Sequence, residues 1–303
     1  MSRPPRARRS CHVVPGSNPR MLQKAVGLEA DEVILDLEDS VAPGEKGGGA
    51  REAVAAALRA GLRAPTVAVR VNAVDGPHCH RDLAAVAGAA PDVIVLPKVD
   101  DPSHVTFADH LLSALEHEAG LPRRGIGLEV QIETARGLGS VEAIAAACPE
   151  RMEALVFGPG DLAASLGMPH TAIGATVPGY PGDGWHHVLG RILVAARAEG
   201  LQAVDGPYAV IADLDGLAEA AARTRALGFD GKWSIHPSQI APLNAAYGVG
   251  AAELDRARRV LQAHAAAAAA GAGAADLEGE MIDDATRRMA ETVMERARLT
   301  GAA

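Results

Sequence analysis

Apolar residues in this chain recur in two alternating patterns. Short runs rich in Val, Ile and Leu (CHVVPG, EVILDLED, TVAVRVN, DVIVLPKV, GIGLEVQIET, EALVFGPG, LQAVDGPY and GKWSIHP) are separated by Ala/Leu/Arg-rich stretches of helical character. Near-continuous apolar strands between helices predict a parallel sheet whose outer face the helices cover. Eight such runs, with no G-x-G-x-x-G fingerprint after the first, predict an α/β fold of the closed (β/α)8 TIM-barrel type rather than a doubly wound sheet. After the eighth run, AAELDRARRVLQAHAAAAAA reads as a helix ending at Gly271, GAGAADLEG as a flexible linker, and MIDDATRRMAETVMERARL as a last amphipathic helix. The expected organisation is a basic arm over 1–10, a barrel over 11–245, and a C-terminal helical extension with a lid segment over 246–303. A helix hung on such a linker is expected to swap onto a neighbouring subunit. The length of 303 residues suits one barrel of ~250 residues plus an appendage.

Polar residues sit where the apolar runs stop. Ser17 lies past the first run, Asp36 and Glu38 on the second, Arg70 and Asn72 on the third, and Lys98 on the fourth. Glu133 ends the fifth, Asp161 follows the sixth, Asp205 ends the seventh and His236 the eighth. In a barrel all these ends converge on one rim, where active sites of this architecture lie. Helix capping accounts for Ser17 or Asn18, with Pro19 as a first helical residue, but not for eight strand ends at once.

Glu133 and Asp161 form the central pair. Two carboxylates on neighbouring strand ends make a hard-cation site of the kind magnesium prefers, because that ion keeps several waters and takes one or two protein carboxylates. The competing roles are a helix N-cap for Asp161 and a buried ion pair for Glu133. Arg70 offers a planar fork that matches a carboxylate or enolate oxygen, and it is equally suited to a salt bridge with Asp36, Glu38 or Asp39. Lys98 in VLPKV is a formal Schiff-base candidate. Nearby charges that keep its ammonium protonated favour a structural or substrate-orienting role. His78-Cys79-His80 and Trp185-His186-His187 lack the helical or CxxC spacing of a zinc site and read as loop residues.

Charge and cysteine usage narrow the partners. A net charge of −9 argues against nucleic acid. MSRPPRARRS precedes no apolar run, so it reads as a solvated basic arm and not as a signal or membrane anchor. Three widely spaced cysteines, Cys11, Cys79 and Cys148, form no disulfide framework and suit a reducing cytoplasm.

The order of short motifs is more specific than any one of them. VPGSNPRMLQKA, ILDLEDSVAPGEK with Ala50-Arg51, VRVN, VLPKV, QIETARGL, FGPGDLAASLG, FDGKWSIHPSQI and the terminal GEMID together resemble the citrate lyase beta-subunit and malyl-CoA lyase family within the HpcH/HpaI aldolase group. The resemblance implies a TIM barrel, trimeric or hexameric, acting with Mg²⁺ (Mn²⁺ as an alternative) on CoA thioesters of hydroxy acids. It carries the magnesium ligands onto Glu133 and Asp161, and the arginine that holds the 2-oxo acid onto Arg70. Lys24 falls on a CoA-phosphate position, and Asp283 on the acid that the C-terminal segment delivers into a neighbour's site. Asp36 and Glu38 match orienting acids of the second strand. Asn18 stands where malyl-CoA lyases carry an arginine near CoA, with Arg20 as its candidate substitute. The insert TAIGATVPGYPGDGWHH departs from simpler members and is expected to shape the acyl end of the site.

The reaction so implied is reversible cleavage of a malyl-, methylmalyl-, citramalyl- or citryl-CoA-like 3-hydroxyacyl-CoA into an acyl-CoA and a 2-oxo acid. Arg70, Glu133 and Asp283 then carry the catalysis, Asp283 as general acid/base. Three alternatives share the barrel: a thioesterase in the same site, a CoA-independent pyruvate aldolase, and a non-catalytic subunit of a lyase complex.

Overall fold

A computed structural model describes residues 3–169, 173–174 and 183–302. Eight parallel strands close into one barrel in chain order, with β1 pairing β8. They are β1 (Ser10–Pro15), β2 (Glu32–Asp36), β3 (Thr66–Arg70), β4 (Val93–Leu96), β5 (Gly127–Ile132), β6 (Met152–Phe157), β7 (Gln202–Asp205) and β8 (Gly231–Ser234). Each coincides with one of the eight apolar runs, β1 and β6 starting one residue before theirs, so the TIM-barrel expectation is met. The strands are buried on both faces, which is why they read as continuous apolar runs rather than as alternating ones.

The helices in chain order are α1 (Pro19–Ala25), α2 (Gly49–Ala60), α3 (Cys79–Val86), α4 (Pro102–Glu118), α5 (Ala135–Gly139), α6 (Val141–Ala145), α7 (Pro159–Ser165), α8 (His186–Ala198), α9 (Leu214–Leu227), α10 (Ile240–Tyr247), α11 (Ala251–Ala269) and α12 (Asp284–Leu299). Their starts are chemically marked. Asn18 and Asp101 each accept an N-terminal backbone N–H and are each followed by proline, whose missing N–H costs nothing at a first helical position. Two apolar layers result. Val33, Leu35, Val69, Ile94 and Leu128 pack against the helices, whereas Cys11, Ile34, Ala68, Val95, Val156 and Trp233 fill the barrel interior.

The basic arm is not solvated. Arg8 is 1% exposed; it donates from Nε to Glu129 and from Nη2 to Glu153, both at 2.7 Å, and lies 3.2 Å from Glu32. Arg3 and Arg6 donate to the same Glu153 at 2.6 and 2.9 Å. Strand alternation is the physical reason. Glu32 and Glu129 share the inward face of Asp36 and Glu133, so the strand starts carry buried acids that require a cation, and the arm supplies it.

Tyr247 ends one compact unit and Gly248 begins a second. The second unit holds α11, α12 and a small core of Ala257, Val260, Ile282 and Ala290. The stretch read as a flexible linker holds the first strand and turn of an antiparallel hairpin, β9 (Ala275–Leu277), whose second strand, β10 (Glu280–Ile282), takes Met281 and Ile282 from the stretch read as the last helix. Glu278 and Gly279 form its turn with φ of 58° and 84°, the left-handed pair that a two-residue hairpin loop requires. No helix among the described residues is long and apolar enough to cross a membrane.

Candidate active site

The strand ends surround one cavity of about 610 Å³, whose wall includes Arg70, Glu133 and Asp161. Arg70 closes β3, directly beside Asp36 at the end of β2. That register makes a bidentate pair. Nε and Nη2 of Arg70 donate to Oδ1 and Oδ2 of Asp36, each at 2.7 Å. Nη1 lies 3.3 Å from Glu38, and the guanidinium stacks 5.3 Å from the ring centre of Trp233. Burial alone would raise the Asp36 carboxyl, but the adjoining guanidinium more than reverses this and holds it below its ordinary range.

Glu133 follows β5 and is 3% exposed. Its Oε1 accepts the backbone N–H of Lys98 at 2.7 Å, and its Oε2 lies 3.3 Å from the Gln131 amide. Burial pushes its carboxyl up to about 7; Asp161 and Glu38 add to the rise, while Arg70 and the Lys98 N–H oppose it. Gly158 is the neighbour that makes room. The Gly158 N–H pairs with the Ile132 carbonyl, and a Cβ at Gly158 would sit 2.3 Å from Glu133 Cβ and 2.5 Å from Oε2. Asp161 lies in the first turn of α7, where the helix dipole favours a negative charge, and its side chain is 43% exposed. The N-cap of α7 is Gly158, so the capping role considered for Asp161 does not apply.

These donors fit magnesium. Both are hard carboxylates on one cavity wall, close enough for Asp161 to raise Glu133, and the cradle at Gly158 keeps Oε2 uncrowded. A cation between them would relieve the burial and repulsion that push the Glu133 carboxyl up. Among the described residues no group of three or more His, Cys, Asp or Glu side chains forms a metal cluster, and a pair of carboxylates with water is the usual magnesium set.

Lys98 joins the site from β4. Its ammonium contacts Glu38, lies 3.2 Å from Asp39 and 3.6 Å from Asp161, and these acids outweigh burial to hold it above its ordinary value. A lysine so protonated is a poor Schiff-base nucleophile.

Other residues singled out in the sequence lie elsewhere. Asp205 turns to the helix layer, where it accepts from Lys232 Nζ at 2.6 Å and Thr224 Oγ1 at 3.1 Å. Its contacts there are structural, and it does not line the cavity. His236 caps the turn Pro237–Gln239 at the surface, although Trp233 and Ile235 beside it do line the wall. Asn18 caps α1, Arg20 and Lys24 are exposed on it, and none of the three borders the cavity. Asp283 caps α12 in the second unit, accepting the Thr286 N–H and hydroxyl on Oδ1 at 3.0 Å. Cys79 opens α3, and the His78 ring meets Arg51 at 3.2 Å. The insert at 171–187 lies largely outside the described residues, apart from Ile173, Gly174 and 183–187.

Ile173 and Trp185, from the insert expected to shape the acyl end, line the cavity, whereas sequence reading missed the rest of its apolar wall, Val13, Met168, Pro207 and Trp233. Only Val13 and Trp233 had a local signal, through inward-facing positions on β1 and β8.

Comparison with known proteins agrees with this geometry. The model of the HpcH/HpaI aldolase/citrate lyase family matches residues 9–237, and that of a C-C bond lyase of the TIM-barrel fold matches 189–302. An L-malyl-CoA/beta-methylmalyl-CoA lyase of Rhodobacter capsulatus is 37% identical over 297 residues, covering 94% of this chain and 93% of that protein. The citrate lyase subunit beta of Escherichia coli is 35% identical over 299 residues, covering 98% and 95%. The crystal structure of CitE from Mycobacterium tuberculosis in complex with magnesium, acetoacetate and coenzyme A is similar with a TM-score of 0.74 at 35% identity, covering 95% of this chain and 97% of that one. With a family model spanning most of the barrel and relatives aligned nearly end to end, this chain belongs to the HpcH/HpaI aldolase/citrate lyase family.

Proposed function

We propose that this protein is a magnesium-dependent CoA-ester lyase that reversibly cleaves a malyl-type 3-hydroxyacyl-CoA into an acyl-CoA and a 2-oxo acid. The observation that carries the reading is the meeting of Arg70, locked by Asp36, with Glu133 and Asp161 on one cavity wall. Relatives named for malyl-CoA cleavage, and a similar structure in complex with magnesium, acetoacetate and coenzyme A, support the substrate class and the metal.

In this reading Glu133 and Asp161 hold Mg²⁺, with Mn²⁺ as a substitute, and the ion when bound supplies Lewis acidity toward the hydroxyl and carboxylate oxygens of the substrate. Arg70 holds the departing 2-oxo acid, and its guanidinium stabilises charge as the carbon–carbon bond breaks. Asp36 fixes the plane of that guanidinium, so its orientation is set before substrate arrives. Lys98 and Glu38 support the charged wall through their contacts with Asp161 and Arg70. The apolar part of the lining, with Met168, Ile173, Trp185 and Pro207, takes the acyl group and excludes water that would intercept an enolate.

In the condensation direction Asp283 removes the proton from the acyl-CoA carbon; in the cleavage direction it first takes up a proton, balancing the one the substrate hydroxyl loses, and then passes it to the acyl-CoA enolate. Its hydrogen bonds to Thr286 lower its carboxyl, so it rests as a base. We assign it to a neighbouring subunit's site, in a homotrimer or hexamer, with Lys24, Arg20 and Asn18 on the CoA side.

The test offers malyl-, methylmalyl-, citramalyl- and citryl-CoA with Mg²⁺, then with chelator, and measures 2-oxo acid, acyl-CoA and free thiol separately. The reading predicts equal 2-oxo acid and acyl-CoA, lost on chelation. Free thiol without 2-oxo acid would make the protein a thioesterase, and chelator-indifferent turnover would remove the metal from the mechanism. Asp283→Asn should abolish proton exchange at the acyl-CoA carbon and leave magnesium affinity intact.

A further inference from the structure

Lys98 combines a backbone outlier with an unusual set of partners. Its φ of 51° puts a side-chain-bearing residue in the left-handed region, and of the described non-glycine residues with positive φ it is the one in the candidate site. That conformation is disfavoured for a residue with a Cβ and persists only where the surroundings impose it. Here the twist lets one residue reach both proposed ligands. The Lys98 N–H donates to Glu133 at 2.7 Å, and Nζ stands 3.6 Å from Asp161. The same ammonium contacts Glu38 and lies 3.2 Å from Asp39.

The local charge is unbalanced. Asp36, Glu38, Asp39, Glu133 and Asp161 face two cations, Arg70 and Lys98. Arg70 has both its fork bonds on Asp36, so Lys98 carries the positive charge nearest Asp161. A lysine ammonium is a compact, well-hydrated point charge, able to neutralise carboxylates without fixing their geometry as a guanidinium would.

We propose that Lys98 is a positioning residue, a built-in counter-cation that holds both metal ligands in place and lowers the site's affinity for magnesium. The proposal rests on the assignment of Glu133 and Asp161 as metal ligands. Its backbone amide orients Glu133. Its side chain lessens the mutual repulsion of Glu38, Asp39 and Asp161 and opposes the divalent ion, which keeps the metal exchangeable. A residue with a merely structural role would weaken metal binding when removed. A counter-cation does the opposite.

The experiment measures magnesium affinity by titration calorimetry, and thermal unfolding in chelator and in saturating Mg²⁺, for the wild-type protein, Lys98→Met, Lys98→Arg and Lys98→Gly. Lys98→Met should bind magnesium about ten-fold more tightly, the order expected when a unit charge beside a divalent ion's ligand is removed at a water-exposed site. It should also melt lower in chelator and gain more from Mg²⁺ than the wild-type protein does. Lys98→Arg keeps the charge and should bind as the wild-type protein does. Lys98→Gly suits the left-handed backbone and keeps the N–H to Glu133, so it should show the same tightening even if Lys98→Met folds poorly. Unchanged or weaker binding by folded Lys98→Met and Lys98→Gly, with normal binding by the wild-type protein, would overturn the counter-cation role. An absence of magnesium binding by the wild-type protein would overturn the metal assignment instead.

Discussion

Replacing Asp36 with Asn perturbs the contact that orients Arg70 while leaving the side-chain volume unchanged. Oδ1 of Asp36 accepts from Arg70 Nε and from the Glu38 N–H at 2.9 Å, and Oδ2 accepts from Arg70 Nη2 and from the Ser40 N–H at 3.0 Å. Whichever way the amide is turned, its NH₂ faces two donors. The pair is buried, with side-chain exposures of 9% for Arg70 and 0% for Asp36, so solvent does not replace the lost fork bonds, and Glu38 reaches only Nη1. Breaking one partner of such a pair costs roughly 3–5 kcal/mol. At about 2–4 °C per kcal/mol for a unit of this size, the melting temperature should fall by roughly 6–20 °C. Displacement of the guanidinium should also reduce kcat/KM for the CoA ester by about 100-fold. Differential scanning calorimetry and steady-state kinetics read the two effects separately. Adding Arg70→Met should recover part of the stability and none of the activity, because the double variant removes the unpaired charge. A single variant that melts and turns over as the wild-type protein does would refute the reasoning, and would mean that Trp233 and Glu38 suffice to hold Arg70.

Gly158→Ala places a Cβ 2.5 Å from Glu133 Oε2, so magnesium affinity should drop sharply with the circular dichroism spectrum unchanged; unaltered affinity would show that the cradle is not required. Arg8→Met leaves Glu32, Glu129 and Glu153 without their shared cation and should lower unfolding stability by about 3–5 kcal/mol in urea, a loss that Glu32→Gln should partly recover. His12 has a depressed folded value of about 4, caused by burial and then by repulsion from His236. Its unfolded value is about 6.5, so its contribution is complete above that pH, declines as pH falls toward 4, and is at most about 3 kcal/mol. His12→Asn should flatten the slope of stability over that interval, and an unchanged slope would assign it to other groups.

Much of the barrel was legible because each of its strands is a separate apolar run, and a strand buried on both faces needs no partner to be recognised. The placement of Arg70, Glu133 and Asp161 on one cavity wall follows from strand ends converging on one rim. Alternation along β5 could have carried the reading further. Glu129, Gln131 and Glu133 share a face, so an acid at the start of that strand implies a buried counter-charge, which Arg8 provides. Asp205 misled because a strand-end position does not fix which face a side chain takes; its neighbour Val204 points inward and Asp205 outward to Lys232. The hairpin at Ala275–Ile282 hid in glycine and alanine, whose composition is that of a linker. The left-handed backbone of Lys98 had no composition signal at all, since that conformation is imposed by contacts from other strands.

In the proposed mechanism Glu133 and Asp161 hold the metal on which carbon–carbon cleavage depends. Calorimetric titration of Mg²⁺ in the presence of a 2-oxo acid, on the wild-type protein, Glu133→Gln and Asp161→Asn, tests it most directly. One magnesium per chain is expected in the wild-type protein and none in either variant, with all three folded. Retention of that binding by both variants would contradict it.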